Sequence, residues 1–477
     1  MADMDDSPGE TREDIPLKTG TKNGNLCSCC EDCFGSAKCL SFGIISSFIT
    51  FALLFQIYNG DYQVVPHGSV ASDSRECSEI GSSILKQGGN AADAAIATAF
   101  CLAVVNPHVT GLDSEGQFMF YGHKSKLLPD VIDFRQNPNN RINEPLPRMV
   151  IGLAYIHQQY SLLSWKQLIQ PSVDLAKKGF LVPKALVSAI KKANIQNLFS
   201  NLEPGQIITM IKLSETLQNI ADIPEEDLIS FITLENTPLK TVSLSGRFQD
   251  YNVYVPNSPS IGPDLLKILQ MIDQHNFTTL DTVKPEYYYR LAEITKEIYT
   301  ERNITTNFHE GTSSNVAVID KDDNYVSLVT GLYQAFGSQE INSEGYIMDV
   351  RARGTTQCSR VPLIITDADF ICGRRMVLGS SNIASASQIV PALLIAAQNA
   401  TVGIEFPRFN LLPDGTIGFE DEHTPLFNDE VIQYLETLGH PVHMKFPYSS
   451  CNIVEKVGDN LNSHSDSRGG GIASRFR

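Results

Sequence analysis

Three adjacent hydroxyl residues at positions 312–314 (Thr-Ser-Ser) precede a pattern of two strands. The apolar run 316–319 predicts one strand, residues 320–324 supply turn chemistry, and residues 326–330 predict a second strand. The pattern is typical of an ordinary surface hairpin. It also fits a chain that cuts itself before a hydroxyl residue, so that the freed hydroxyl attacks carbonyl groups and its own amine acts as base. Such a nucleophile must begin a strand, because a rigid sheet then holds both groups.

Arg135 is a second candidate for chemistry. Residues 131–134 predict a short strand that ends at Arg135, before a turn containing proline. A solvated arginine is the ordinary interpretation. The functional one is a guanidinium fork that grips a carboxylate through two parallel hydrogen bonds.

The composition excludes some classes of function. The chain has 477 residues, a hydrophobic fraction of 42% and a formal net charge of −17. This length suits two ordinary domains or one large α/β unit. Nucleic acid is not an expected partner, because phosphate binding needs basic patches.

The first 58 residues predict a membrane anchor. Residues 1–39 are polar and without apolar periodicity, which predicts a disordered tail. Residues 40–58 form an uncharged stretch of 19 residues, near the roughly 20 needed to cross a bilayer. A buried helix is the alternative. Basic residues precede the stretch and none follows until Arg75, which predicts a cytosolic tail and an exported body. N-x-T sequons agree with this type II topology, at Asn276, Asn303 and Asn399.

The cysteines divide into two groups. Five of the ten lie within residues 27–39, where irregular spacing and the lack of histidine do not favour a metal site. Cys77 and Cys101 fall on two predicted helices, which the Gly88-Gly89 turn makes antiparallel neighbours. Outside the cell such a pair can be bridged.

Several blocks, taken together, resemble the gamma-glutamyltransferase (glutathione hydrolase) family. They are GGNAADAAIATAFCLAVVNPHVTGL from Gly88, IDFRQNP from Ile132, LIQPSVDLAKKGFLV, the hairpin, PRFNLLPDG and SDSRGGG. A single block would be weak, but these occur in the family's order from about residue 68 to the C-terminus.

The resemblance implies a fold and an activity. It implies a four-layer αββα sandwich of the N-terminal-nucleophile type, cut into a large part (62–311) and a small part (312–477) that stay together as a heterodimer. It implies transfer of the gamma-glutamyl group of glutathione, or of other gamma-glutamyl compounds, to water or to amino acid and peptide acceptors through an acyl-enzyme. It implies no metal and no organic cofactor, and a disulfide between Cys77 and Cys101.

The resemblance also carries roles onto single positions. The family's nucleophile follows a glycine, which indicates Thr312, whereas an ungapped register indicates Ser313. Arg135 matches the substrate-carboxylate arginine, Ser359 matches a family serine, and Asn382 and Ile383 occupy the oxyanion glycine pair.

One departure bears on function. Residues 351–354 fall where the family carries an acidic pair that holds the substrate's amine, and Arg351 has the opposite charge. Two hypotheses therefore stand: a membrane-anchored glutathione hydrolase, and an inactive homologue that keeps the fold for binding or structural work.

Overall fold

The structure is a computed structural model. It describes residues 33–59, 67–135, 146–195, 199, 202–232, 237–302, 312–350, 360–396, 399–412, 414–420, 427–444 and 450–476. The chain divides into two units, residues 1–64 and 65–477. The described part of the first unit is one helix, α1 (Cys33–Asn59). Among the described residues, no helix combines the length and the apolar character that a membrane crossing requires.

The second unit contains the remaining helices and all the described strands. Its helices are α2 (Arg75–Lys86), α3 (Ala91–Val105), α4 (Arg148–Tyr160), α5 (Trp165–Lys178), α6 (Lys184–Ala193), α7 (Ile211–Ala221), α8 (Glu225–Leu228), α9 (Gly262–Asp273), α10 (Pro285–Glu301), α11 (Ile383–Leu394), α12 (Ala400–Glu405) and α13 (Asp429–Thr437). Its strands are β1 (Gly68–Ala71), β2 (Glu115–Gly122), β3 (Asp130–Asp133), β4 (Phe180–Leu181), β5 (Ile207–Ile208), β6 (Leu239–Val242), β7 (Leu244–Phe248), β8 (Tyr251–Val255), β9 (Ser314–Ile319), β10 (Asn324–Gly331), β11 (Val361–Asp367), β12 (Arg374–Ser380), β13 (Phe409–Leu411), β14 (Ile417–Phe419), β15 (Val442–Met444), β16 (Ile453–Val457), β17 (Asn460–His464) and β18 (Ser474–Phe476).

Two large sheets lie face to face. In the described residues one has seven strands in the order β18-β1-β9-β10-β2-β3-β6, and the other has six in the order β17-β16-β12-β11-β8-β7. Helices α2, α3 and α4 pack on the first sheet, and helices α9, α11 and α12 pack on the second. An apolar cluster that includes Met119, Tyr325 and Val377 fills the space between the sheets. The architecture is therefore helix, sheet, sheet, helix.

Helix α3 is the central buried helix of the first layer. Asn90 caps it, since its side chain accepts hydrogen bonds from the N–H groups of Ala92 and Asp93. Every residue of α3 is buried, and its alanines allow α2 and β9 to approach closely. Cys77 on α2 and Cys101 on α3 are joined by a disulfide, with 5.3 Å between their Cα atoms.

The predicted hairpin is present with longer strands than the apolar runs alone indicated. Strand β9 begins at Ser314 and pairs antiparallel with β10, with Ser314 opposite Thr330. Asp320 closes the turn, because its carboxylate accepts the N–H groups of Asp322 and Asn324. Both strands are buried because sheet neighbours and α3 cover them, so this is a central hairpin and not a surface one.

The glycine-containing end of the chain is ordered. Strand β18 pairs with β1 at the edge of the seven-stranded sheet. Asp466 is fully buried and pairs with Arg408 and Arg468. A Cβ at Gly471 would lie 2.0 Å from the carbonyl oxygen of Ser72, so glycine is needed for the segment to pack here.

Candidate functional site

Thr312 lies two residues before β9, at one end of the seven-stranded sheet. Its hydroxyl is half-buried and donates to the carbonyl oxygen of Val109 at 2.7 Å. Its backbone N–H donates to the carbonyl oxygen of Leu332 at 3.0 Å. A Cβ at Gly331 would come within 1.9 Å of the Thr312 carbonyl oxygen, so only glycine lets the end of β10 lie this close. Ser313, the alternative nucleophile, is more deeply buried, at 7% exposure.

Arg135 belongs to the same end of the sheet. Glu115 at the start of β2 pairs with Gly331, and Gln117 pairs with Asp133 at the end of β3. Two residues beyond Asp133 in this antiparallel register, Arg135 reaches the position across from Glu115. Arg135 and Thr312 therefore lie at the same end of the sheet. That end is formed by the end of β3, the start of β2, the end of β10 and the start of β9.

The guanidinium of Arg135 is held by a neighbouring carboxylate. Its Nε lies 2.8 Å from both Asp133 oxygens, and its Nη2 also donates to Asp133. Both side chains are nearly buried, with exposures of 9% and 10%. Gln117 donates a further hydrogen bond to Asp133 at 3.0 Å. This pairing fixes the direction of the guanidinium.

A buried cluster of charges lies beside Thr312. Arg360, just before β11, donates from Nε and Nη2 to the Thr312 carbonyl oxygen at 3.0 and 2.8 Å. Its Nη1 pairs with Glu115 at 2.5 Å. Arg148 on α4 lies 3.5 Å from Glu115 and 3.8 Å from Asp349. Burial raises the pKa of Asp349 well above its usual range, and the hydrogen bond from the Tyr333 N–H opposes the shift.

The predicted oxyanion pair lies at the start of a helix on the second sheet. Asn382 caps α11, since its side chain accepts from the Ser385 N–H at 2.7 Å, and Ile383 is the first helical residue. The N–H groups of a first helical turn have no partner within the helix. Val361, the residue after Arg360, pairs with Ser380, so the start of α11 lies near the Arg360 end of β11.

A second polar cluster supports the start of β9. Asp73 is buried against it and accepts hydrogen bonds from Ser314, Ser450 and Asn452. Burial raises the pKa of Asp73, and these three donors oppose the shift. Asn315 and Asn452 are also joined by hydrogen bonds between side chain and backbone. The strand that follows Thr312 is thus fixed to the C-terminal segment.

Other residues predicted from the sequence are placed as follows. Asn276 and Asn399 are exposed, and Asn399 also caps α12. Ser359, Asn303 and the stretch 351–354 lie outside the described residues. Sequence reasoning missed Arg360 and Arg148. Their only signal was a basic residue bordering an apolar run, which does not reveal a partner far away in the chain.

Comparison with known proteins relates the sequence to one family. Residues 77–144 and 145–228 match the family model described as gamma-glutamyltranspeptidase. Glutathione hydrolase 7 of Homo sapiens is 24% identical over an alignment of 569 residues, which covers 93% of this chain and 83% of that protein. Scoloptoxin SSD14 of Scolopendra dehaani is 26% identical, with 86% and 92% covered. Glutathione hydrolase proenzyme 1 of Schizosaccharomyces pombe is 25% identical, with 86% and 84% covered.

A solved structure has the same fold. The crystal structure of cephalosporin acylase from Bacillus halodurans aligns with a TM-score of 0.71 at 17% identity, covering 86% of this chain and 96% of that one. The chain is therefore a mixed α/β protein that shares its layered fold with that acylase. Its sequence carries the family resemblance of the gamma-glutamyltranspeptidases and glutathione hydrolases, which are enzymes.

Proposed function

We propose that this protein hydrolyses or transfers the gamma-glutamyl group of glutathione and related compounds, after cutting itself before Thr312. The observation that carries the proposal is the position of Thr312. It lies two residues before a buried central strand, at the end of the sheet where Arg135 also lies. A rigid strand that begins just after Thr312 suits a nucleophile whose own amine is the base.

Each residue has a role in this reaction. Oγ1 of Thr312 attacks the gamma-carbonyl carbon, the amine of Thr312 takes the hydroxyl proton, and the proton then passes to the leaving amine. Arg135 holds the alpha-carboxylate, which does not react, and so places the carbonyl near Oγ1. Backbone N–H groups at Asn382 and Ile383 stabilise the developing oxyanion. Ser359 adds a further contact to the substrate, and water or an amino acid or peptide then releases the acyl group.

Thr312 is preferred to Ser313 because its hydroxyl is the less buried of the two. The test is to express the full chain in a eukaryotic secretory host, with Thr312→Ala and Ser313→Ala as a matched pair. A denaturing gel reports self-cleavage, and a gamma-glutamyl anilide reports hydrolysis. Thr312→Ala should abolish both, and Ser313→Ala should retain most of both.

Other outcomes of the same experiment are equally informative. The reverse result assigns the nucleophile to Ser313. An unmodified chain that neither cleaves itself nor hydrolyses any gamma-glutamyl donor removes the enzymatic proposal. The chain would then be a homologue that keeps the fold for binding.

The membrane anchor is a further proposal that rests on the sequence. Residues 40–58 contain no charged side chain, and basic residues lie only on their N-terminal side before Arg75. We propose a single-pass type II protein with its body outside the cytosol. Its leader resembles that of the vertebrate family member called glutathione hydrolase 6. The cut before Thr312 would give the large and small chains of a heterodimer.

A further inference from the structure

We propose that Arg360 is a positioning residue that holds the backbone of Thr312 and favours the uncharged, basic form of the amine released there. The inference rests on the proposed self-cleavage. It assigns a role to a side chain on the second sheet that the reaction scheme above does not use.

The contacts of Arg360 centre on Thr312. Its Nε and Nη2 lie 3.0 and 2.8 Å from the Thr312 carbonyl oxygen. The same Nη2 donates to the carbonyl oxygen of Leu332 at 2.7 Å. Arg360 is 2% exposed, so these bonds are shielded from water. A flat guanidinium that spans these two carbonyl groups fixes the orientation of the Thr312 backbone just ahead of the strand.

The amine and the guanidinium share an acceptor. The backbone nitrogen of Thr312 also donates to the carbonyl oxygen of Leu332, at 3.0 Å. Because Arg360 Nη2 lies 2.7 Å from that oxygen, the two nitrogens can be no farther apart than the sum of these distances. After self-cleavage this nitrogen becomes an alpha-amine, and its protonated form would place a second positive charge beside a buried cation.

Nearby charges reduce this effect without cancelling it. Glu115 lies against Nη1, on the part of the guanidinium that does not contact Thr312. Arg148 lies 3.5 Å from Glu115 and offsets part of its negative charge. The other titratable side chains of the surrounding described segments include Asp113, Asp349, His108, Tyr333 and Arg135, and Arg135 is paired with Asp133. Asp349 accepts the Tyr333 N–H, Asp113 accepts the Asp349 N–H, and buried His108 is neutral near pH 7.

The consequence concerns the base. An uncharged amine accepts the Oγ1 proton while Oγ1 bonds to the donor's carbonyl carbon. The proton then passes to the leaving amine as the carbon–nitrogen bond breaks. A neighbouring cation therefore extends the activity toward lower pH, because it keeps the amine unprotonated there.

Arg360→Met and Arg360→Lys in the full chain test this inference. The first removes the charge and keeps an apolar stem, and the second keeps the charge without the fork. Arg374→Met is the matched control, because Arg374 forms a partly buried pair with Glu455 at the far end of β12. For each protein, kcat/KM for gamma-glutamyl-p-nitroanilide is measured against pH. The rate at which cyanate modifies the Thr312 amine is measured over the same range.

Arg360→Met should move the acidic limb of both profiles to higher pH by about 0.5–1 unit, because a like charge has been removed. Arg360→Lys should leave the limb in place and lower the rate, and Arg374→Met should leave the limb unchanged. Slower turnover of Arg360→Met with an unmoved limb would overturn the inference and leave the proposed function standing. If the protein cleaves itself and the Arg360→Met substitution shifts the amine's cyanate profile, but no donor is turned over, the proposed function would be overturned and the inference about Arg360 would stand. A chain that does not cleave itself would remove both.

Discussion

Replacing Arg135 by lysine should weaken recognition of one part of the donor without unfolding the protein. Lysine keeps a positive charge beside Asp133 but loses the fork that two parallel hydrogen bonds require. Truncating one partner of a buried charge pair typically costs about 2–5 kcal/mol. The lower end applies here, since lysine retains the charge, and about 2 kcal/mol corresponds to roughly a 30-fold loss in kcat/KM.

The assay varies the donor substrate as well as the protein. Gamma-glutamyl-p-nitroanilide is compared with 4-aminobutanoyl-p-nitroanilide, which lacks only the alpha-carboxylate. The unmodified enzyme should prefer the first donor strongly, and Arg135→Lys should lose most of that preference. Lys240→Met is the control, because Lys240 pairs with Asp130 on the neighbouring strand in a half-exposed ion pair.

The ratio of kcat/KM for the two donors shows whether Arg135 binds the alpha-carboxylate. A variant that loses rate equally for both donors would show that Arg135 does not bind the carboxylate. Thermal unfolding of each protein separates this from simple loss of fold. By contrast, Arg135→Ala should lower the free energy of unfolding by about 3–5 kcal/mol, because it leaves buried Asp133 unpaired.

Three further predictions concern the body of the protein. Peptide mapping without reductant should recover Cys77 linked to Cys101, and replacing both by serine should lower the free energy of unfolding by about 3 kcal/mol; two free thiols in secreted material would contradict this. Protease added to intact cells should remove the body and spare the tail, and glycan should occur on at least one of Asn276, Asn303 and Asn399; a protected body without glycan would refute the topology. Burial lowers the pKa of His108 to about 4. Because the unfolded chain takes up this proton at a higher pH than the folded protein does, the free energy of unfolding should fall as pH drops from about 6.5 to 4. In His108→Gln, the free energy of unfolding, measured by urea titration at each pH, should depend less on pH in that window. An unchanged pH dependence would count against this account.

Local signals in the sequence were sufficient for much of the fold. The hairpin was predicted from apolar runs and turn residues, and helices α2 and α3 were predicted on the two sides of the Gly88-Gly89 turn. These elements depend on neighbours in the chain, so periodicity reveals them. The C-terminal segment was not predicted to be ordered, because its order comes from buried pairs with Arg408 and from β1, hundreds of residues earlier.

The site shows the same division between local and distant interactions. Thr312 and Arg135 could be chosen from residue type and position at strand ends, and their roles remain predictions. Arg360 could not be chosen, since its contacts join residues 48 and 28 positions apart that only the two sheets bring together. Asp133 is likewise a neighbour of Arg135 in sequence, but only the sheet shows that the two side chains pair while nearly buried.

The order of strands determines what a cut before Thr312 can separate. In the seven-stranded sheet β1 lies between β18 and β9, and β2 is paired with β10, so strands from both sides of the cut are interleaved. In the other sheet β8 pairs with β11 across the same division. The Cys77–Cys101 disulfide lies wholly before the cut and ties nothing across it. Breaking one peptide bond would therefore release no fragment, and separately made halves would each lack the neighbours that complete their sheets. Synthesis as one chain therefore sets the arrangement of the two halves, and that arrangement remains after the bond is cut.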